Sequence, residues 1–253
     1  MIRIISTDFD GTVLNHFNPP AVSTHFLERL ATLRAGGAVW VVNTGRALFH
    51  LDEGLRDFGF PTPDYAITCE RELFKTDGHG GWLDFGDWNA RCKQVHDELH
   101  AVARPVFHAI RDFVQKETTA TFIDDLTGIG IVAASEADMD RILDRVRRLS
   151  AEFPHFHFQR NTVYVRFCHR DYSKGAALGE LSRLLGLGPD SVFAAGDHLN
   201  DLPMLDGIHA RWVACPSNSA PAVKQLVAKT GGYVARCEAG DGIAEALDFF
   251  LAK

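Results

Sequence analysis

The hydrophobic positions of the chain follow two rhythms. Near both ends, short apolar runs alternate with amphipathic stretches; in the middle, short runs come in pairs. Residues 2–7 are a β-branched run that predicts a buried strand. Residues 24–35 carry Phe26, Leu27, Leu30 and Leu33 at helical spacing, and Gly36-Gly37 ends them. A second buried strand is predicted over 38–43, a helix over 47–58 closed by Gly59, and a short strand over 65–68. The C-terminal part repeats this order. Ser173 caps a helix that runs through Leu185 and stops at Gly186, strands fall at 191–195 and 211–215, and helices at 220–230 and 243–251. Strands alternating with helices predict a parallel sheet covered on both faces.

The middle is read differently. Residues 87–103 and 106–116 have helical spacing, with Pro105 marking a break between them. Residues 119–123 and 128–132 are predicted to pair as strands around the turn Asp124-Asp125-Leu126-Thr127. Ser135 caps a helix with Met139, Ile142, Leu143 and Val146 on one face. A second strand pair, 155–159 and 162–167, turns at Arg160-Asn161. Helix–strand–strand thus occurs twice. The predicted fold is α/β: a doubly wound, Rossmann-like parallel-sheet core (1–74 and 169–253) with an inserted α+β cap domain (75–168). Gly78, Gly80 and Gly81 suit the entry to the insertion, and 169–172 its exit.

Composition narrows the function classes. The 253 residues are 46% hydrophobic and 23% charged, which excludes intrinsic disorder. No apolar run approaches the ~18–20 residues of a membrane helix, and no apolar leader precedes the first strand, so a cytoplasmic protein is expected. The net charge of −7 argues against a nucleic-acid binder, which needs a broad basic surface. Five widely spaced cysteines, with no C-x-x-C pair, predict reduced thiols rather than a disulfide framework or a zinc site.

Four short segments carry candidate chemistry. Asp8-Phe9-Asp10-Gly11-Thr12 follows the first strand directly, and strand geometry sends Asp8 and Asp10 to the same side. Two carboxylates at the carboxyl end of a buried strand can hold a hard divalent cation, or divide into nucleophile and acid/base. At the end of the next strand, the hydroxyl of Thr44 beside Gly45, at a helix N-terminus, can bind a phosphate oxygen. Lys174 begins a helix, where its charge opposes the macrodipole; that conflict points to an anionic partner. Asp197, with Asn200 and Asp201 close behind, forms a second bank of oxygen ligands after a short strand. Read singly, each is equally a strand-end turn or a helix cap. Together, carboxylates, a hydroxyl and one lysine along one sheet edge are a magnesium-plus-phosphate set.

In this order, D-F-D-G-T, the Thr of N-T-G-R, the Lys of S-K-G-A-A-L and G-D-H-L-N-D-L-P-M-L resemble the four motifs of the haloacid-dehalogenase-like hydrolase superfamily. The tail, with Asn218, Val223-Lys224 and Gly242-Ile243-Ala244-Glu245-Ala246-Leu247, is similar to its Cof-type, subclass IIB branch. The resemblance implies a magnesium-dependent phosphohydrolase acting on a small phosphorylated metabolite, a sugar phosphate foremost. Asp8 would be the nucleophile that becomes an aspartyl-phosphate, and Asp10 the acid/base. Mg2+ would be held by Asp8, the backbone carbonyl of Asp10 and Asp197, with Asn200 and Asp201 behind them. Thr44, Gly45 and Lys174 would bind the phosphoryl group, and the cap would read the leaving group. Arg46, His155, His157, Tyr164 and Arg166 are the candidate substrate contacts. A phosphomutase of the same branch and an inactive phospho-ligand-binding module are the alternatives. No nucleic-acid or membrane partner is expected, and the oligomeric state stays open. Where many relatives carry Asn-Gly after the third strand, this chain reads Thr68-Cys69-Glu70-Arg71-Glu72. His96 and His100 imitate a zinc-protease helix with the glutamate misplaced, so a solvated helix face is expected there. Gly128-Ile129-Gly130 lacks the third glycine of a dinucleotide fingerprint.

Overall fold

The segments Met1–Asn89 and Ser173–Lys253 build one unit of the protein, and Ala90–Tyr172 builds a second. The structure is a computed structural model, and it describes every residue except Phe17, Leu126, Thr127 and Lys253. In chain order the elements are β1 (Ile4–Thr7), α1 (Thr24–Ala35), β2 (Val39–Asn43), α2 (Leu48–Phe58), β3 (Tyr65–Thr68), β4 (Glu72–Thr76) and β5 (Trp82–Asp84). Next come α3 (Trp88–Val102), α4 (Arg104–Glu117), β6 (Thr121–Asp125), β7 (Gly128–Val132), α5 (Glu136–Leu149), β8 (Phe156–Asn161) and β9 (Tyr164–His169). The chain closes with α6 (Lys174–Leu184), β10 (Val192–Ala195), α7 (Leu202–Leu205), β11 (Trp212–Cys215), α8 (Pro221–Lys229), β12 (Tyr233–Val234) and α9 (Ala239–Leu251).

The first unit is an eight-stranded sheet in the order β12-β11-β10-β1-β2-β3-β4-β5. The strands from β12 to β3 run parallel, and β4 and β5 extend the edge as antiparallel strands. Every residue of β1, Ile4 and Ile5 as well as the small polar Ser6 and Thr7, is buried, as befits a central parallel strand. Phe9, Phe26, Trp40, Phe60, Phe193 and Phe250 belong to one core cluster. Within it the Trp40 indole donates to Thr7 Oγ1 at 3.1 Å, so its polar edge is satisfied. The chain winds from β1 to β2 and β3 on one side, and through β10 to β12 on the other. The carboxyl end of β1 therefore lies at the switch point where open α/β sheets bind ligands.

The second unit is an antiparallel sheet in the order β6-β7-β9-β8. Ile110 and Val114 of α4 and Met139, Ile142, Leu143 and Val146 of α5 close over Ile131, Val165 and Phe167. This is the twofold helix–strand–strand pattern read from the sequence.

Several boundaries differ from expectation. The units divide at Asn89/Ala90 and Tyr172/Ser173 rather than at 74/75 and 168/169. The reason is the β4–β5 hairpin, which pairs with β3 from Thr68↔Glu72 to Tyr65↔Lys75 and so belongs to the core sheet. Gly78, Gly80 and Gly81 lie in that hairpin's loop, closed by Asp77 N–H to Gly81 O at 2.9 Å, and are not an entry linker. Arg160 and Asn161 are strand residues of β8, and the turn falls at Thr162-Val163, where Thr162 takes φ 49°. Pro105 sits in the first turn of α4, where a missing N–H costs nothing. The expected turn at 124–127 falls partly outside the described residues. No helix among the described residues is long and apolar enough to cross a membrane.

Glu245 of α9 fastens the C-terminal edge of the core. Its Oε1 accepts from Tyr233 Oη at 2.8 Å and Arg236 Nε at 2.7 Å; its Oε2 accepts the backbone N–H groups of Arg236 and Cys237. Burial raises its pKa, but these donors outweigh it and bring the carboxyl down to about 2. A carboxyl lowered on folding stabilises the protein above its unfolded pKa, and that contribution is lost as pH falls through the folded value. Glu245→Gln is expected to lower Tm at pH 7 by about 2–4 °C, the effect of ~1 kcal/mol in a protein of this size. In thermal melts taken at falling pH, the gap between wild type and variant should narrow steadily below about pH 4.5.

Candidate active site

Three loops and one helix start meet around the carboxyl end of β1. Asp8 continues β1 by donating its N–H to Ala195 O at 2.9 Å, which places its carboxylate beside the end of β10. Lys174, the first residue of α6, is fully buried. Its ammonium donates to Asp8 Oδ1 at 2.7 Å and to Asp201 Oδ1 at 2.5 Å. Asp201 Oδ2 accepts the backbone N–H groups of Asp197 and His198 at 2.8 and 2.9 Å. Asp197 Oδ1 accepts from Thr12 Oγ1 at 3.0 Å, which ties the loop after β10 to the loop after β1. Gly11 makes this approach possible: it takes φ 77°, and a Cβ there would lie 2.5 Å from Asp197 Oδ2.

Asp10 is held apart from this cluster. Arg46 clamps its carboxylate with Nε to Oδ2 at 2.7 Å and Nη2 to Oδ1 at 2.6 Å, and His16 Nε2 pairs with Oδ1 at 2.5 Å. The guanidinium lies over the Phe9 ring, 5.0 Å from its centroid. Thr44 is buried and its Oγ1 accepts the Arg46 N–H at 3.1 Å. Asn218 donates to Gly11 O at 2.7 Å and accepts the Ala239 N–H, bracing the Asp10-Gly11 turn from behind.

The electrostatics separate the two aspartates. Burial pushes the Asp8 carboxyl well above its ordinary range; Lys174 pulls it back, and Asp201 and Asp197 add to the rise. Asp197 is driven to about 7, by burial first and then by Asp201. Burial alone would lower the Lys174 ammonium, but Asp201, Asp8 and Glu70 together raise it and keep it charged. Burial also works to raise Asp10, yet the hydrogen bonds from Arg46 and His16 prevail and hold it below the usual carboxylate value.

The sequence profile of the haloacid dehalogenase-like hydrolases matches residues 94–247, more than half of the chain. This chain belongs to that family. It is 27% identical over 261 residues to a phosphoglycolate phosphatase of Methanoculleus marisnigri, covering 98% of this chain and 96% of that protein. It superimposes at TM-score 0.74 on the sucrose-phosphatase of Synechocystis solved with sucrose and phosphate, with 18% identity over 99% and 98% of the two chains. The subclass IIB sugar phosphatase BT4131 shares the fold at TM-score 0.65, with 18% identity over 99% and 100% of the two chains.

The haloacid dehalogenase-like site in this chain fits a hard cation. Asp8, Asp197 and Asp201 each offer an oxygen, all within 4.8 Å of one another. Both Asp201 oxygens are already engaged, which leaves Asp8 and Asp197 as side-chain ligands. Burial, with neighbouring carboxylates adding to it, raises both of their pKa values, and a cation there would favour the charged forms. Asn200 Oδ1 is buried with no protein partner among the described residues, an acceptor aligned with a hydrated ion's needs. An all-oxygen donor set suits Mg2+.

The core residues named from the sequence therefore come together: Asp8, Asp10, Thr44, Gly45, Arg46, Lys174, Asp197, Asn200 and Asp201 all lie in the first unit. The Asp10 side chain stands outside the carboxylate cluster, so only its backbone carbonyl is left for a metal role. The remaining candidates lie in the second unit. Tyr164 and Arg166 share one face of β9, the guanidinium 5.6 Å from the ring centroid. Arg166 is buried, in register with Gly130 and Gln159. His155 sits in the turn before β8 and stacks on His169 at 4.8 Å, so it does not share a strand face with His157. His157 is exposed on β8. His96 is buried rather than solvated: its Nδ1 meets Cys92 O at 2.7 Å and its Nε2 accepts the His169 N–H at 3.1 Å. Thr12, His16 and Glu70 take part in the site without having been assigned a role from the sequence. Only the unusual Cys69-Glu70-Arg71 segment gave a signal for any of them.

Lys174→Met is expected to lower the unfolding free energy by ~3–5 kcal/mol at pH 7, because Asp8 and Asp201 are left buried without their cation. Without Lys174 to pull it down, the Asp8 carboxyl takes up a proton more readily in the folded state, so the deficit should shrink between pH 7 and pH 5. Denaturant titrations at the two pH values measure both effects.

Proposed function

We propose that the protein is a Mg2+-dependent phosphohydrolase of a small phosphorylated metabolite, a sugar phosphate foremost, working through an aspartyl-phosphate on Asp8. The observation that carries this reading is the pair of aspartates two residues apart with opposite surroundings. Asp8 is held by a buried lysine among carboxylates, and Asp10 is held separately by Arg46 and His16. Phosphatase and sugar-phosphatase names among the proteins of similar sequence and fold support the same reading.

Asp8, the Asp10 carbonyl and Asp197 would hold the Mg2+, which supplies positive charge against which two anions, the Asp8 carboxylate and a phosphoryl group, can meet. Asp8 Oδ attacks phosphorus; the P–O bond to the leaving alcohol breaks as the Asp8–phosphorus bond forms. Lys174 and the Thr44-Gly45 loop receive the equatorial oxygens, where charge is spread in the transition state. An arriving phosphoryl group also competes for the Arg46 guanidinium. Once Arg46 turns to the substrate, Asp10 keeps only His16 of the two groups that hold it ionised, and its carboxylate takes up a proton from solvent more readily. It can then give its proton to the leaving oxygen. As the free carboxylate it afterwards takes a proton from the water that hydrolyses the aspartyl-phosphate.

Asp8→Asn is expected to abolish phosphate release from a generic aryl phosphate while the melting curve stays that of a folded protein. EDTA should stop the wild-type reaction and added Mg2+ restore it. Undiminished turnover in the variant, or in metal-free enzyme, contradicts the reading. Release of inorganic phosphate rather than an isomerised sugar phosphate separates a hydrolase from a mutase.

Asp10→Asn is expected to reduce kcat by roughly 10²–10⁴ for alkyl phosphates, whose leaving groups need the proton, and by far less for an aryl phosphate. Comparing kcat on the two substrate types checks the assignment; equal losses remove Asp10 from the acid role.

A further inference from the structure

The turn between β3 and β4 is built in a conformation that its residues disfavour. Cys69 and Glu70 take φ 49° and 64°, in the left-handed region that glycine and asparagine occupy readily and bulkier residues avoid. Two such residues in succession persist only where the surroundings enforce them. Here the enforcement comes from the phosphate-binding loop. Cys69 N–H donates to Arg46 O at 2.8 Å and Glu70 N–H donates to Thr44 O at 3.0 Å. The strained turn delivers the Glu70 side chain into the interior, where it is 4% exposed.

Inside, the Glu70 carboxylate touches two loops of the site. Its Oε1 accepts from Asn200 Nδ2 at 2.8 Å. It also lies against Gly45, where a Cβ would stand 3.3 Å from Oε1. A carboxylate only accepts hydrogen bonds, so it selects one of the two flips of the Asn200 amide, with the NH2 toward Glu70 and Oδ1 away from it. Asn200 immediately precedes Asp201, the residue that holds Lys174.

We infer that Glu70 is a positioning residue: its buried carboxylate orients Asn200 and braces the Thr44–Arg46 loop, so that the phosphate-binding loop and the loop carrying Asp197 share one support. It touches no reacting atom. Its charge is also among those that keep Lys174 protonated. The kinetic part of this inference rests on the phosphohydrolase reading; the structural part does not.

Two variants test it. Asn at position 70 suits the left-handed turn but is too short to reach Asn200, and Gln keeps the reach while removing the charge. For Glu70→Asn, relief of backbone strain and of a buried charge offsets the lost hydrogen bond, so Tm should stay within a few degrees of wild type. Amide exchange should nonetheless rise on the order of tenfold in the segments around 44–46 and 198–202, measured by mass spectrometry. On an aryl phosphate, kcat should fall on the order of tenfold with KM changed by less than about threefold. Glu70→Gln should recover exchange and kcat to within about threefold of wild type. Wild-type exchange in Glu70→Asn overturns the inference. So does a loss of activity that only follows a loss of Tm, or a Gln variant as impaired as the Asn variant. If wild type releases no phosphate, the functional reading fails, and the exchange measurement still decides the role of Glu70.

Discussion

The ammonium of Lys174, closed off from solvent between Asp8 and Asp201, is the constraint around which the core is arranged. It joins the end of β1, the start of α6 and the loop after β10, which lie far apart in sequence. Buried ion pairs are poor sources of stability, because desolvation takes back most of the Coulombic gain. A lysine at a helix N-terminus adds a conflict with the helix dipole. The surroundings are nonetheless built to keep it. Asn43 donates to the Lys174 carbonyl at 3.1 Å, two backbone N–H groups fix Asp201, and Gly196 lies so near Asp201 that a Cβ would come within 2.4 Å of its Cγ. Asp201, Asp8 and Glu70 keep the charge in place against burial, and in the function proposed above it would also meet the phosphoryl group.

The same logic accounts for the acidic excess. Asp8, Asp197, Asp201 and Glu70 all act electrostatically on Lys174 or on one another. Burial is the larger cause of the raised Asp8 and Asp197 carboxyls, and the neighbouring carboxylates add to it. A divalent cation held by Asp8 and Asp197, as proposed above, would favour their charged forms. Both oxygens of Asp201 are engaged, one by Lys174 and one by two backbone N–H groups, whereas the buried Asn200 Oδ1 has no protein partner among the described residues.

Much of this was legible in the chain because the relevant signals are local. β1 and β10 read as strands from short buried runs, with an acidic residue one position past β1 (Asp8) and two positions past β10 (Asp197). Ser173 read as a cap, and its hydroxyl does accept the Ala176 N–H. The β4–β5 hairpin was not legible, since Glu72–Thr76 lies at a half-exposed edge with a single buried side chain, Leu73, and gives no apolar run. Arg160 looked like a turn residue by its polarity. In the fold it is strand backbone, with its guanidinium bonded to Thr162 O and Asp140 across the sheet's edge. Glu70 and His16 escaped for a different reason. Glu70 meets Asn200 across 130 residues, which no periodicity records, and His16 meets Asp10 six residues away through an irregular loop that has no repeat to read.

Asp8 and Asp10 show how one strand end can carry two chemistries. They emerge on the same side of β1, yet only Asp8 enters the lysine's enclosure; Asp10 is drawn outward to Arg46, which is itself laid on Phe9. The residue between the two aspartates thus supplies the platform for the cation that separates them. Phe9 is fully buried, so the platform is fixed by the core. Asp10 is thus held by the Arg46 guanidinium and by His16, while Asp8 is held by Lys174. Arg46 also donates to His50 O at 3.0 Å, so its position is set jointly by the start of α2 and by Asp10. In the mechanism proposed above, this planar, always-charged donor would be shared between the resting Asp10 carboxylate and the arriving phosphoryl group.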